Sequence, residues 1–230
     1  NTFNTAVGAS AGQNVTTGVQ NTVIGGTAGI SLTDADYNVA VGFQSLYTNT
    51  VGSRSVAIGY NALLTQNPST ASDMYNVAVG FGAGEGITTG ISNTLIGGLA
   101  GDALTDADFN VAMGESALTS DTQGSKSTAI GTSALNQQNA TSAADMHNTA
   151  VGFQAATSLT TGQQNTIVGS LAGDALTTGS TNSFFGYESG GAGTITGDAN
   201  AGYGNSTLGS LTSGSNNIGV GNAAGFAVTS

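Results

Sequence analysis

The chain repeats itself every 17 residues, and this period restricts its fold more than any other property of the sequence. Aligned on Asn-Thr-Ala-Val-Gly at residues 4–8, units begin at residues 4, 21, 38, 55, 76, 93, 110, 127, 148, 165, 182, 200 and 217. The units starting at Ser55 and Ser127 run to 21 residues, and the one starting at Asn182 to 18. Such a unit is too short for two helices, and its apolar segments end in Gly, so helical repeats are excluded. The expected fold is all-β: a parallel β-solenoid of about 13 coils, with residues 1–230 forming a single repeat domain. Coils are numbered 1 to 13 in chain order, and positions within a coil are counted from the alignment's first column.

Position 1 is Asn or Ser throughout. The asparagines are Asn4, Asn21, Asn38, Asn76, Asn93, Asn110, Asn148, Asn165, Asn182, Asn200 and Asn217, and the serines are Ser55 and Ser127. In stacked parallel strands identical residues stand above one another about 4.8 Å apart, so this column predicts a structural ladder of side-chain amides. Position 5 is Gly in every coil, from Gly8 to Gly221, which points to positive φ or to a place with no room for a Cβ. Position 4 is bulky and apolar (Val7, Ile24, Val41, Ile58) and position 3 mostly Ala, the two faces of a short strand. The bulky column is expected to turn inward, beside Val15, Ile87 and Leu159, and the small one outward. Position 9 reads Gly12, Gly29, Leu46, Leu63 and then Gly84, Gly101, Leu118, Leu135, a pattern expected of interlocking contacts between chains.

A second period of 72 residues sits above the first. Residues 4–75 and 76–147 agree at about forty positions, and 148–219 form a third, more divergent block without the four-residue insertion. Arg54 recurs as Lys126, Asp34 and Asp36 as Asp106 and Asp108, and Tyr75 as His147.

Composition narrows the function classes. Hydrophobic residues make up 38% of the chain, too many for a disordered Gly/Ser/Thr linker. A net charge of −11, with 13 acids against Arg54 and Lys126, repels a nucleic-acid backbone. With no Cys, neither a disulfide scaffold nor a thiolate metal site is available, and a Cys-free chain fits an extracellular setting. No run of 18 apolar residues and no basic, apolar leader is present, so neither membrane insertion of this segment nor a signal peptide is expected. The Asn start suggests a segment of a longer fibre.

Candidate chemistry is sparse. Arg54 and Lys126 could grip a ligand, but ion pairs with a nearby or partner-chain Asp are the favoured reading, so both are candidates for inter-chain ion pairs. Asp34 and Asp36, like Asp106 and Asp108, stand two residues apart in Leu-Thr-Asp-Ala-Asp and are weak candidates for Ca²⁺; the rest of a calcium loop is missing, and Asp in turns needs no metal. His147 is the single His and reads as a packing or rim residue. No catalytic residue, cofactor site or metal centre is predicted. Phe43, Tyr60, Phe81, Phe153 and Tyr187, each following the repeat Gly, could stack on sugars or cap grooves between chains. The inserted segments, 64–75 and 136–147, are the better places for partner contact.

Ser-Val-Ala-Ile-Gly at residues 55–59, repeated in variants through all thirteen units, resembles the head repeats of YadA-like trimeric autotransporter adhesins. Similar Asn-Thr-Ala-Val-Gly arrays occur in phage tail fibres. The resemblance implies a left-handed parallel β-roll assembled as a homotrimer, with large residues filling each roll and small ones near the chain contacts. The unit is longer than the usual adhesin-head unit, and no anchor, neck or stalk is visible. The expected function is therefore a non-catalytic fibre segment on a cell surface or virion that mediates adhesion or host-receptor binding, through a glycan or protein receptor. A passive spacer is the alternative. An ice-binding solenoid is a third reading, resting on Thr5, Thr22, Thr94, Thr128, Thr149 and Thr166 at position 2, although Val39, Val56, Val77 and Val111 break that column.

Overall fold

A computed structural model describes residues 3–140, 142–191 and 193–229. The protein is an all-β parallel solenoid of about thirteen turns, with no helix among the described residues. It divides into two compact units, Asn1–Asn110 and Val111–Ser230.

In the first unit the strands Thr5–Val7, Thr22–Ile24, Val39–Val41, Val56–Ile58, Val77–Val79 and Thr94–Ile96 pair in parallel, one per coil. The register joins like to like, with Thr5 opposite Thr22 and Val56 opposite Val77. In the second unit the same holds for Val111–Met113, Thr128–Ile130, Thr149–Val151, Thr166–Val168, Ser183–Phe185, Ala201–Tyr203 and Ile218–Val220. Each long coil adds a two-residue strand that pairs with the coil before it, Ser72–Asp73 with Gly52–Ser53 and Ala144–Asp145 with Gly124–Ser125.

The strands stop after three residues because position 5 turns the chain. Gly8 has a φ of 131°, and an added Cβ would lie 2.6 Å from the carbonyl oxygen of Gly25 in the next coil. Positive φ would strain an L residue there, and backbone already fills the space.

The interior overturns two expectations. Position 3, the small column, points inward: Ala40, Ala57, Ala112 and Ala129 are fully buried, as are Leu95 and Phe184 where the column is large. The bulky position 4 points outward, leaving Ile58 and Met113 each 38% exposed. Neighbouring residues on a strand face opposite ways, so one column had to be external. The coil is narrow, and its interior is already occupied from the far side by Leu32, Ile87, Leu104 and Leu159 at position 12. Position 9 is also internal. Leu46, Leu63, Leu118 and Leu135 are fully buried and adopt positive φ, so they pack within their own coils rather than between chains.

In most coils positions 3 and 9 share one volume; where both are small, as Ala78 with Gly84, Leu63 and Leu95 of the adjacent coils fill the space. Ala40 goes with Leu46 and Ala112 with Leu118, whereas Val23, Leu95, Ile167 and Phe184 go with Gly29, Gly101, Gly173 and Gly190. A Cβ at Gly101 would lie 2.8 Å from Leu95, and one at Gly190 would run into the Phe184 ring. Interiors at close packing tolerate neither the overlap nor the void.

The position-1 amides from Asn21 to Asn200 are buried, those of the first and last coils half-buried, and the column is bonded in two directions. Oδ1 accepts the backbone N–H of position 1 in the next coil (Asn21 to Asn4, 2.8 Å; Asn165 to Asn148, 2.9 Å). Nδ2 donates across its own coil to a carbonyl in the return, as from Asn76 to Gly90 (2.7 Å) and Asn200 to Gly214 (2.8 Å). Every such bond removes a buried backbone group from the unsatisfied total.

Candidate interaction surface

Positions 2 and 4 of each strand form an outward face of Thr, Val, Ile and occasional aromatic side chains. None of the 13 acids, nor Arg54, nor Lys126, lies at positions 1 to 5 of any coil. The face is thus the uncharged part of an acidic chain. Its two corners are the residue preceding position 1, termed position 0, and position 6.

At the position-6 corner of the first unit, Phe43, Tyr60 and Phe81 stack on one another. Ring centroids are 5.5 and 5.2 Å apart with interplanar angles of 16° and 6°. Parallel strands bring these rings into line because they repeat at the same position in coils 3 to 5. Both faces of Tyr60 are covered by its neighbours, so the middle of this ladder offers ring edges rather than the open face that sugar stacking requires.

At the position-0 corner, the Arg54 guanidinium carbon sits 4.7 Å from the centroid of Tyr37, and its Nε donates to Asp73 at 2.9 Å. The Tyr75 hydroxyl donates to the other oxygen of Asp73 at 3.1 Å. The equivalent group in the second unit is Lys126 with Asp145 (2.5 Å) and His147, whose Nε2 is 3.9 Å from the same carboxylate. Both cations therefore pair with an Asp of their own chain, delivered by the inserted segment. The hydrogen bond and charge of Asp73 raise the Arg54 pKa, and those of Lys126 hold the Asp145 carboxyl below its ordinary value. His147 lies on the exposed rim of this group.

Asp34, Asp36 and Asp108 serve as acceptors between coils, and Asp106 within its own. Asp36 accepts the backbone N–H of Val19 at 2.7 Å, Asp108 that of Ile91 at 2.8 Å, and Asp34 accepts the Thr17 hydroxyl. Asp106 accepts the hydroxyl of Thr105 at 3.1 Å. Among the described residues no cluster of three or more His, Cys, Asp or Glu side chains could hold a metal ion. Around Asp34, Asp36 and Asp73 the surface is an open polar depression, lined also by Ser53, Ala71 and Ser72.

The inserted segments expose Ser69–Ala71 and residues 142–143, but each is anchored by a buried methionine, Met74 or Met146. Two polar features escaped the sequence reading. Gln66 and Gln138, at position 12 of the long coils, supply the amide that Ser55 and Ser127 lack: Gln66 donates to Ser55 Oγ (3.1 Å) and accepts from Asn76 (2.9 Å), and Gln138 does the same with Ser127 (3.1 Å) and Asn148 (2.8 Å). The signal was a Gln eleven residues after each position-1 Ser. The second feature is a threonine ladder at position 13, where Thr16, Thr33, Thr88 and Thr160 hydroxyls donate to the carbonyl one coil on, at 3.0 to 3.2 Å. Its signal was a Thr recurring twelve residues after position 1.

Comparison with known proteins finds no matching family model, no matching curated protein and no matching solved structure.

Proposed function

We propose that this chain is a segment of a non-catalytic, homotrimeric fibre on a cell surface or virion, built as a left-handed β-roll like the YadA-like adhesin heads and tail-fibre arrays its repeats resemble. The observation that carries the reading is the uncharged strand face. A contiguous exposed apolar surface on a soluble chain marks an interface. On a chain of net charge −11 whose acids all lie elsewhere, an equally acidic second copy meets least repulsion at this face. A basic partner would instead be drawn to the acidic returns.

Self-association is tested first. Light scattering on the purified chain is expected to give three times the chain mass over a wide concentration range; a monomer at all concentrations overturns the reading. Ile58→Asp, on the outward face, is expected to leave the coil intact by circular dichroism and to break the assembly. Adhesion is separated from a spacer role by exchanging residues 69–71 and 142–143 for Gly-Ser of equal length. Lost attachment to cells supports adhesion, and unchanged attachment supports a spacer.

The ice-binding reading draws on one observation, that position 2 points outward. The run Val39, Val56, Val77 interrupts its threonines in three consecutive coils. An ice-recrystallisation assay is expected to be negative.

A further inference from the structure

We infer that the cavity under the inserted segment of coil 8 is a binding site for the acetamido group of a neutral N-acetylhexosamine. The inference rests on the adhesive role proposed above and names the class of ligand.

The cavity measures about 80 Å³ and lies between the inserted segment (Ala140, Ser142, Ala144, Met146) and the return of coil 9 (Thr161, Gln163). Room of this size takes several water molecules or a group of a few heavy atoms. Half of the lining is apolar: Ala140 and Met146 are buried, and Ala144 is half-buried. The other half is polar and uncharged. Gln163 is held by its backbone N–H, which donates to Ser180 Oγ at 3.1 Å. Among the described residues, its side-chain amide and the Ser142 and Thr161 hydroxyls have no hydrogen-bond partner.

The first unit shows what the cavity replaces. Ala140 and Gln163 stand 72 residues after Pro68 and Ile91, while Met146 and Thr161 repeat Met74 and Thr89 unchanged. Pro68 is buried, and a Cβ at Gly52 would lie 3.0 Å from both its ring and Met74, so the ring packs close to that methionine. Coil 8 has only a methyl group there. The exchange removes apolar volume and adds an amide donor and acceptor at the wall. Packing alone favours the filled form; the hollow one gives a small group a place to enter.

The walls select the occupant. An acetamido group carries a methyl, a carbonyl oxygen and an N–H within a few heavy atoms, which match the apolar floor, the hydroxyl and amide donors, and the Gln163 side-chain carbonyl. Charge disfavours acidic sugars, because the chain carries −11 and Lys126 is already engaged by Asp145 at 2.5 Å. The exposed Ser142 and Thr161 hydroxyls suit the hydroxyls of a sugar ring, and the lining holds none of the aromatic or Arg anchors on which protein interfaces centre.

Ligand-observed saturation-transfer NMR on the intact chain tests the site, with the methyl glycosides of N-acetylglucosamine, N-acetylgalactosamine and glucose as probes. Saturation is expected on the acetyl methyl of at least one N-acetylated probe and several-fold less on the glucoside. Gln163→Ile, which restores the first-unit residue, is expected to reduce the acetyl signal several-fold with the circular dichroism unchanged. Thr161→Val, at an exposed side chain, gives a second variant and is expected to reduce it less. Equal signals from all three glycosides, or an undiminished acetyl signal in both variants, overturn the site. N-acetylalanine amide saturating as strongly as the sugars overturns the sugar assignment. A trimer by light scattering that gives no acetyl signal overturns the site and leaves the fibre reading standing. A monomer that gives the signal supports the site and overturns the assembly.

Discussion

Coil 4 in the first unit and coil 12 in the second hold the same place in the 72-residue period, yet they fill their interiors differently. Coil 12 has Asn200 at position 1, reaching across to the Gly214 carbonyl at 2.8 Å, with Leu211 buried at position 12. Coil 4 has the shorter Ser55, and the amide comes from the opposite wall as Gln66, in a coil four residues longer. Coil 8 repeats coil 4 with Ser127 and Gln138, but beneath it stands Asp121 where the first unit has Asn49. A buried amide can thus be supplied from either wall, provided both walls change together. The two long coils differ most in what Gln66 and Gln138 meet next.

That last difference predicts the largest effect. Asp121 is fully buried and accepts from Gly124 N (2.9 Å), Ala140 N (3.2 Å) and Gln138 Nε2 (2.5 Å). Asn49 accepts from Gly52 N (2.9 Å) and returns a bond to the Gly52 carbonyl (2.7 Å). Asp121→Ala removes the acceptor that three buried donors share and is expected to cost about 4 kcal/mol, against about 1–2 kcal/mol for Asn49→Ala, read by urea unfolding at neutral pH. Equal losses would show that the carboxylate has no special place.

The Ser–Gln exchange comes next. Gln66→Leu leaves Ser55 Oγ buried without its partner and is expected to cost about 1–3 kcal/mol. Adding Ser55→Asn, which rebuilds the coil-12 arrangement, is expected to recover most of that. An additive double mutant would break the coupling between the two walls.

The smallest effect separates the two surface ion pairs. Lys126 holds the folded-state pKa of Asp145 below its unfolded value. The resulting stabilisation is present above the unfolded value and is lost as pH falls through the lower folded one. Arg54 is shifted upward by Asp73, so its contribution is complete below the ordinary Arg value and lost only in strong alkali. Lys126→Met is expected to return Asp145 toward the ordinary carboxylate range, followed by carboxyl NMR titration. His147→Gln, which removes a smaller contribution to the same shift, is expected to move it less.

The period, the glycine corner and the position-1 column were legible because each is one residue type recurring at one spacing. The orientation of the strand was not. Both faces of Asn-Thr-Ala-Val-Gly carry apolar residues, and a three-residue strand is too short for alternation to say which is inside. The deciding constraint is the width of the coil, which appears in the sequence only as a trade of volume between positions 3 and 9, as in Leu95 with Gly101 against Ala40 with Leu46. The uncharged strand face could have been read directly, since it needs only the positions of fifteen charged residues. The pairing of Arg54 with Asp73 could not, because it depends on the path of the inserted segment.

The asparagine joint has a consequence for how such a gene changes. Each Asn offers its Oδ1 to whatever backbone N–H arrives above it, and the arriving residue has been Asn21, Asn38, Ser55 or Asn200 without alteration of the bond. The joint recognises a position rather than a neighbour. Unequal recombination that gains or drops a whole coil, or a whole 72-residue block, therefore closes on the same hydrogen bonds it opened. Length becomes a heritable variable that selection can adjust without redesigning an interior.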